Sequence, residues 1–188
     1  MGAVDGAGDA GRQSSTSARY LGAAGDAWAA ETRAEGRRGT QRIVRAGEEP
    51  ASELVAERLS LQPGEPVIAR RRIMYTDGDP CELTDTYYPA SLARGTGLAG
   101  TAKIRGGAVR LLAELGHVGA WVEEDVTARL PTPEEATALA LSEEEPLLQL
   151  VRRTEDADHR PIQLDVMAMA PRRQRLRYRF RAGGVGGG

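Results

Sequence analysis

Arg72, Thr84, Thr86, Gln163 and Asp165 are residues whose types and spacing suit holding a small polar molecule. A guanidinium donates through a fixed planar fork to a carboxylate or carbonyl, a hydroxyl both donates and accepts, and an amide beside a carboxylate orients both. Met74 and Met169 stand at alternate positions beside them, where a thioether serves either as core filler or as contact for an apolar ligand body. Arg72 likewise suits either a ligand contact or an ion pair across a sheet. Covalent and metal chemistry find less material. Cys81 is the single cysteine, so no internal disulfide forms, and it reads as a small buried apolar residue. With only His117 and His159 beside it, both read as solvated, a Cys/His metal cluster is excluded. The sequence carries no nucleophile–histidine pairing signature and no phosphate loop. The expectation is therefore binding without catalytic residues, metal or cofactor.

Two hairpins must position these side chains. Val67–Pro89 reads as two strand arms around the turn Thr76-Asp77-Gly78-Asp79. Alternation places Arg70, Arg72 and Met74 on one face of the first arm, opposite to Ala69, Arg71, Ile73 and Tyr75. On the return arm, Glu82, Thr84, Thr86 and Tyr88 separate from Cys81, Leu83, Asp85 and Tyr87 in the same way. Leu147–Arg153, a polar turn over Thr154–Arg160, and Pro161–Met169 form the second hairpin. The interval from Pro66 to Arg72 equals that from Pro146 to Arg152, so two similar units in one sheet are expected.

The chain has 188 residues, enough for one domain with a core, and its 40% hydrophobic and 28% charged residues fit an ordinary soluble protein. A net charge of −2 argues against gripping nucleic acid by bulk charge. No apolar run reaches membrane-spanning length and the first residues lack a signal pattern, so the expectation is a cytoplasmic protein with no membrane partner. Lys103 is the only lysine, a bias that fits a GC-rich genome.

Around the hairpins, residues 1–40 read as a mostly disordered or weakly structured arm, with a short helix at Trp28–Arg33. Gln41–Arg45 reads as a strand and Ala51–Leu59 as a helix. Ser91–Gly107 reads as loop, and Ala108–Leu115 as a helix stopped by Gly116. Trp121–Arg129 alternates weakly, as a strand does. Thr132-Pro133-Glu134-Glu135 combines an N-cap, a proline at the first helical position and a capping-box glutamate, so a helix runs to about Leu139. Arg175–Phe180 reads as a last strand with Leu176, Tyr178 and Phe180 inward, and residues 182–188 as a flexible glycine-rich tail. Trp28 and Trp121 read as packing anchors, and Glu123-Glu124-Asp125 and Glu143-Glu144-Glu145 as solvated charge runs. The fold class is α+β: antiparallel strands in a sheet with short helices against it.

The succession Leu54-Val55-Ala56 to Leu59, Pro63-Gly64-Glu65, Arg72, Asp77-Gly78-Asp79-Pro80 and Tyr87-Tyr88-Pro89 resembles the effector-binding UTRA domain of GntR-type transcription regulators, in the histidine-utilisation repressor subfamily. Leu111–Gly116, Pro131–Glu135 and Arg172–Phe180 agree with it. The resemblance covers Arg42–Phe180, within a domain set at residues 41–181, and rests on order and spacing. It implies a chorismate-lyase-like fold, a small-molecule effector and a homodimer. Aligned from Pro80, it sets the family's first pocket arginine on Arg72, the second on Met74 and an acidic position on Thr84. It sets a polar position on Gln163 or Asp165, and a tyrosine position near Met169. Sugar-phosphate sensors need paired positive donors, so Met74 favours an effector that is not a sugar phosphate. With Thr86, these residues make the expected ligand-binding set.

The resemblance also implies a winged helix-turn-helix before this domain, yet residues 1–41 show neither three amphipathic helices nor a basic recognition helix. The chain is thus expected to be either part of a longer regulator or a free-standing sensor, making no direct DNA contact itself. Two other functions compete with effector sensing: a chorismate-lyase-like enzyme acting on a small aromatic acid, and a ligand-free dimerisation module.

Overall fold

Asp77 and Gly78 close the first hairpin with φ of 55° and 97°. Two successive positive φ values are what a tight two-residue hairpin turn demands, and an Asp-Gly pair supplies them at low cost. The arms are β3 (Pro66–Thr76) and β4 (Asp79–Pro89). The second hairpin pairs β6 (Leu147–Glu155) with β7 (Pro161–Met169), and the Asp156 carboxylate caps its turn by accepting from the backbone N–H groups of Asp158 and Arg160 at 2.9 Å each. In this computed structural model residues 13–15 and 27–178 are described. The tail at 182–188, Phe180 and most of the expected N-terminal arm lie outside them.

Before each hairpin stands a strand and a short helix. β2 (Gly39–Pro50) and α2 (Glu53–Leu59) precede β3, and β5 (Trp121–Arg129) and α5 (Pro133–Leu139) precede β6. Among the described residues six strands form one antiparallel sheet in the order β2-β3-β4-β7-β6-β5. The expected internal repeat is thus a β–α–β–β unit used twice, with β4 and β7 side by side at the centre. Ser52, Leu59, Pro66 and Arg72 correspond to Thr132, Leu139, Pro146 and Arg152 at one constant offset.

The two sheet faces differ in chemistry. On one face α2 and α5 lie over the apolar core. Val55, Ala56 and Leu59 pack on Val67 and Leu164, and Leu139 packs on Ile73, Leu83 and Leu147. The other face carries Arg70, Arg72, Glu82, Thr84, Thr86, Arg152, Gln163 and Asp165. Smaller pieces cover this polar face. These are α1 (Ala27–Ala34), whose Trp28 packs on Met74 and Cys81, and α3 (Ala90–Ala93) with a 3-10 turn at Gly97–Ala99. α4 (Gly107–Glu114) packs Leu112 against Ile68, Tyr88 and Leu98. β1 (Gln13–Ser15) pairs in parallel with β8 (Gln174–Leu176), whose Leu176 reaches Leu150, Met167 and Met169.

Several expectations need correction. The last strand ends at Leu176, and Tyr178 beyond it is exposed, with its hydroxyl donating to Glu124. β2 extends well past Arg45, because pairing with β3 resumes after a bulge between Ile43 and Arg45. The expected loop after Ser91 contains α3 and the 3-10 turn, too short for a periodic signal. Trp121 is exposed on the edge strand and stacks on His159 with ring centroids 5.0 Å apart. Glu124 is not solvated: strand alternation turns it inward to Arg152, while Glu123 and Asp125 face Arg58.

Candidate functional site

The polar face is organised by one row of side chains that crosses five strands. Arg72 on β3 donates from Nη2 to Thr86 Oγ1 on β4 at 2.9 Å. Thr86 donates onward to Asp165 Oδ1 on β7 at 2.6 Å, and Gln163 Nε2 donates to the other carboxylate oxygen at 2.7 Å. Arg152 on β6 lies 4.0 Å from that oxygen and donates from Nε to Glu124 on β5 at 2.7 Å. The Tyr178 hydroxyl donates to the second Glu124 oxygen at 2.8 Å. Burial, then the bond to Glu124, pushes the Tyr178 phenol up to about 12. Register makes this row: Arg72 stands opposite Thr84, Thr86 opposite Asp165, Asp165 opposite Arg152, and Arg152 opposite Glu124.

The row has an open end and a closed end. At the Arg72 end lies a cavity of ≈ 360 Å³, lined by Arg70, Arg72, Lys103, Gln41, Thr40 and the apolar Ile43, Ile104 and Ala108, among others. A hollow of ≈ 310 Å³ adjoins it around Lys103 and Gly106. Arg70 belongs to the wall. Its Nη1 donates to the carbonyls of Gly97 (3.1 Å), Leu98 (3.0 Å) and Gly100, and its Nη2 to that of Ala102 (3.3 Å). It thereby pins the loop that carries Lys103. Burial, and then Arg72 beside it, hold the Arg70 guanidinium below its ordinary value.

The first turn of α4 also reaches the cavity through Gly107 and Ala108. Its N-cap, Gly106, sits at φ 81° and brings no side chain to cap the turn. A Cβ there would meet only the flexible, exposed Arg110 side chain, so it is the conformation that favours glycine. A helix start carries partial positive charge. Arg72, Lys103 and this helix end therefore favour a negative group, while Ile43, Ile104 and Ala108 favour an apolar body next to it.

Of the seven residues expected from the sequence, Arg72 lines this cavity. Thr86, Asp165 and Gln163 are joined to it through the buried hydrogen-bonded row. Thr84 shares their face but donates to Glu82, which also accepts from Gln174 at 2.7 Å. Met74 is buried against Trp28 and Cys81, and Met169 against Leu150 and Met167. Sequence reasoning missed Lys103, Gln41 and the α4 start. The signal that could have found Lys103 is its being the only lysine, set in a glycine-rich stretch. Cys81 is fully buried, and burial pushes its thiol up to about 12, so it supplies no thiolate.

Comparison with known proteins bears on this arrangement. A family model described as the UTRA domain matches residues 34–175. An uncharacterized HTH-type transcriptional regulator of Streptomyces coelicolor, SCO4628, is 31% identical over 138 residues, which are 70% of this chain and 50% of that protein. The chain thus spans about half the length of this relative. A second regulator, YurK of Bacillus subtilis, is 44% identical over 46 residues. Among solved structures, the effector domain of PhnF from Mycobacterium smegmatis superposes with a TM-score of 0.72 at 23% identity, over 84% of this chain and 96% of that one. The C-terminal domain of the histidine utilization repressor from Pseudomonas syringae gives 0.68 at 23%, over 77% and 100%. At these identities the superpositions speak for the fold alone.

Proposed function

This chain belongs to the UTRA domain family, and from that premise we propose that it is the effector-sensing part of a GntR-type transcription regulator. Its effector is a small organic acid with an apolar body. The observation that carries this reading is the cavity where Arg72 and Lys103 meet the uncapped start of α4 beside Ile43, Ile104 and Ala108. The acid sits on the Arg72 guanidinium. Thr86, Asp165 and Gln163 hold that guanidinium in one orientation, and Thr84, Met74 and Met169 form the packed floor behind it. Met74, standing where the resemblance places a second arginine, is packed on Trp28 and Cys81, which leaves Arg72 and Lys103 as the cations facing the acid.

The chain binds its effector without transforming it. The Cys81 thiol is buried, and His159 lies over Trp121 at the turn between β6 and β7, so neither supplies an acid or base at the cavity. It works in the cytoplasm as a homodimer, and contact with DNA falls to another part of the regulator. No described helix is long and apolar enough to cross a membrane.

Calorimetry with a panel of aliphatic and aromatic carboxylic acids, their amides and sugar phosphates tests the reading. The expected result is saturable binding of at least one acid, loss of binding by its amide, and weaker binding of the sugar phosphates. Tighter binding of a sugar phosphate would overturn the assignment of effector class. Release of pyruvate from chorismate would establish the enzyme reading instead.

A further inference from the structure

Where the first unit carries Arg70, the second carries Leu150, at the same offset that relates Arg72 to Arg152. Leu150 is fully buried against Met167 and Met169. Arg70 is 4% exposed, so the first unit sets a guanidinium at a place its copy fills with an apolar side chain. A buried cation is costly unless both its hydrogen bonds and its charge are met. The hydrogen bonds all go to one loop, to the backbone carbonyls of Gly97, Leu98, Gly100 and Ala102, and no carboxylate accepts from Arg70. Arg72 and Lys103, which line the same cavity, add further positive charge. The loop itself is thinly packed. Leu98 is buried against Ile68, Tyr88 and Leu112, but Thr101, Ala102 and Lys103 beyond it are exposed. Past Leu98, the carbonyls of Gly100 and Ala102 are tied down by Arg70.

We propose that Arg70 is a positioning residue for effector binding: it clasps residues 97–102 onto β3 so that Lys103 and Ile104 complete the cavity beside Arg72, and an acid bound there supplies the negative charge that the buried clasp lacks. The proposal rests on the effector reading above and adds a residue that acts through the loop. Acid binding and loop closure then favour each other by the same factor, because such coupling is reciprocal. The second unit needs no such clasp. Leu150 faces no loop that carries a lysine, and its neighbours fill the space with apolar side chains. Arg70→Leu therefore installs a residue that the repeated scaffold already accommodates. It removes a buried charge, a change that is often neutral or stabilising when the replacement packs well, and the loop carbonyls it frees turn to water.

Limited proteolysis of the whole chain tests this directly. Lys103 is the only lysine, so a lysine-specific protease cuts the wild type at one bond, inside this loop. Well below the melting temperature, Arg70→Leu should be cut after Lys103 about tenfold faster or more, and should bind the organic acid about tenfold more weakly, the effect of losing a charged hydrogen bond. Its urea midpoint should stay close to that of the wild type, which a merely structural arginine would not allow. Arg70→Lys keeps the charge, but an ammonium lacks the planar fork that spans several carbonyls. It should fall between the other two on both readouts, and the fragment masses separate a cut at residue 103 from one at residue 70. Should Arg70→Leu fail to fold, Arg70→Lys decides on the same readouts. Cleavage of the variants at the wild-type rate would overturn the proposal. So would an opened loop with unchanged acid affinity. Absence of acid binding by the wild type, with the order of cleavage rates kept, would instead count against the effector reading alone.

Discussion

Arg72 and Arg152 occupy the same position in two copies of one β–α–β–β unit, and they live in different surroundings. Arg72 lines a cavity beside Lys103, with an uncapped helix start close by. Arg152 is 4% exposed, between Glu124 on one side and Asp165 on the other. The source of the difference lies in the neighbouring strands. Arg72 stands opposite Ile43 on β2, and Arg152 opposite Glu124 on β5. The residue opposite Arg72 is apolar and brings no charge, whereas the residue opposite Arg152 is a carboxylate that pairs with it. Repeating a scaffold thus supplies two corresponding arginines, and two exchanged neighbours, Glu124 for Ile43 and Asp165 for Thr84, turn one of them into a strut.

Breaking the strut should have the largest effect. Arg152→Ala removes the cation from two carboxylates, one of them fully buried, and should destabilise the fold by about 3–5 kcal/mol, measured by urea unfolding. A loss below about 1 kcal/mol, the range of an exposed ion pair, would mean that the row does not hold the sheet. Arg72→Ala should act on the other quantity. It should weaken effector binding by about 1.5–3 kcal/mol, the range of a charged hydrogen bond, or roughly ten- to hundredfold. Its urea midpoint should move much less than that of Arg152→Ala. Equal destabilisation by the two changes would erase the distinction between site and strut.

That distinction was only partly legible in the sequence. Alternation along β3 and β4 put Arg72, Thr84 and Thr86 on one face, because a pleated strand leaves no other arrangement once the Asp77-Gly78 turn is fixed. The shared Pro-to-Arg interval announced the repeat, and Thr132 through Glu135 announced α5. What lay beyond reach depended on pairings between segments distant in sequence. Nothing local says that β2 brings Ile43 beside Arg72, or that the loop with Lys103 folds back over β3 on the hydrogen bonds of Arg70. Glu124 looked solvated within an acidic run. Only its partner strand shows which of three adjacent carboxylates turns inward. Met74 and Met169 left two readings open in the sequence, and their buried neighbours Trp28, Cys81, Leu150 and Met167 set them in the packed interior.

The helices of the two units sharpen the comparison at a smaller scale. Thr132 accepts from the Glu135 N–H at 3.3 Å while Glu135 returns a bond to the Thr132 N–H at 2.8 Å. In the first unit Ser52 accepts from the Val55 N–H at 3.4 Å, and valine has nothing to return. Thr132→Ala should therefore cost about 1 kcal/mol, and Ser52→Ala less, both read by thermal melts. The reverse order would show that the reciprocal bond adds nothing.

Glu135 adds a pH dependence that its counterpart in the first unit, Val55, cannot. The bond from Arg129, at 2.7 Å, holds its carboxyl below the ordinary 4.5. A depressed value favours the folded state wherever the group is ionised in both states. Its contribution is therefore complete above about 4.5 and is lost as pH falls through the lower folded value. Glu135→Gln, which keeps the capping geometry, should flatten the acid side of the melting curve. An unchanged acid slope would show that the Arg129 pair does not contribute.

The most direct test follows the two arginines themselves during binding. In arginine-labelled protein, the Nε–H signals of Arg72 and Arg152 are assigned by single replacement with lysine and then followed while a carboxylic acid found to bind is titrated. The account predicts that the Arg72 signal shifts and saturates with the calorimetric affinity, while the Arg152 signal stays in place. Movement of Arg152 with Arg72 unmoved would contradict it.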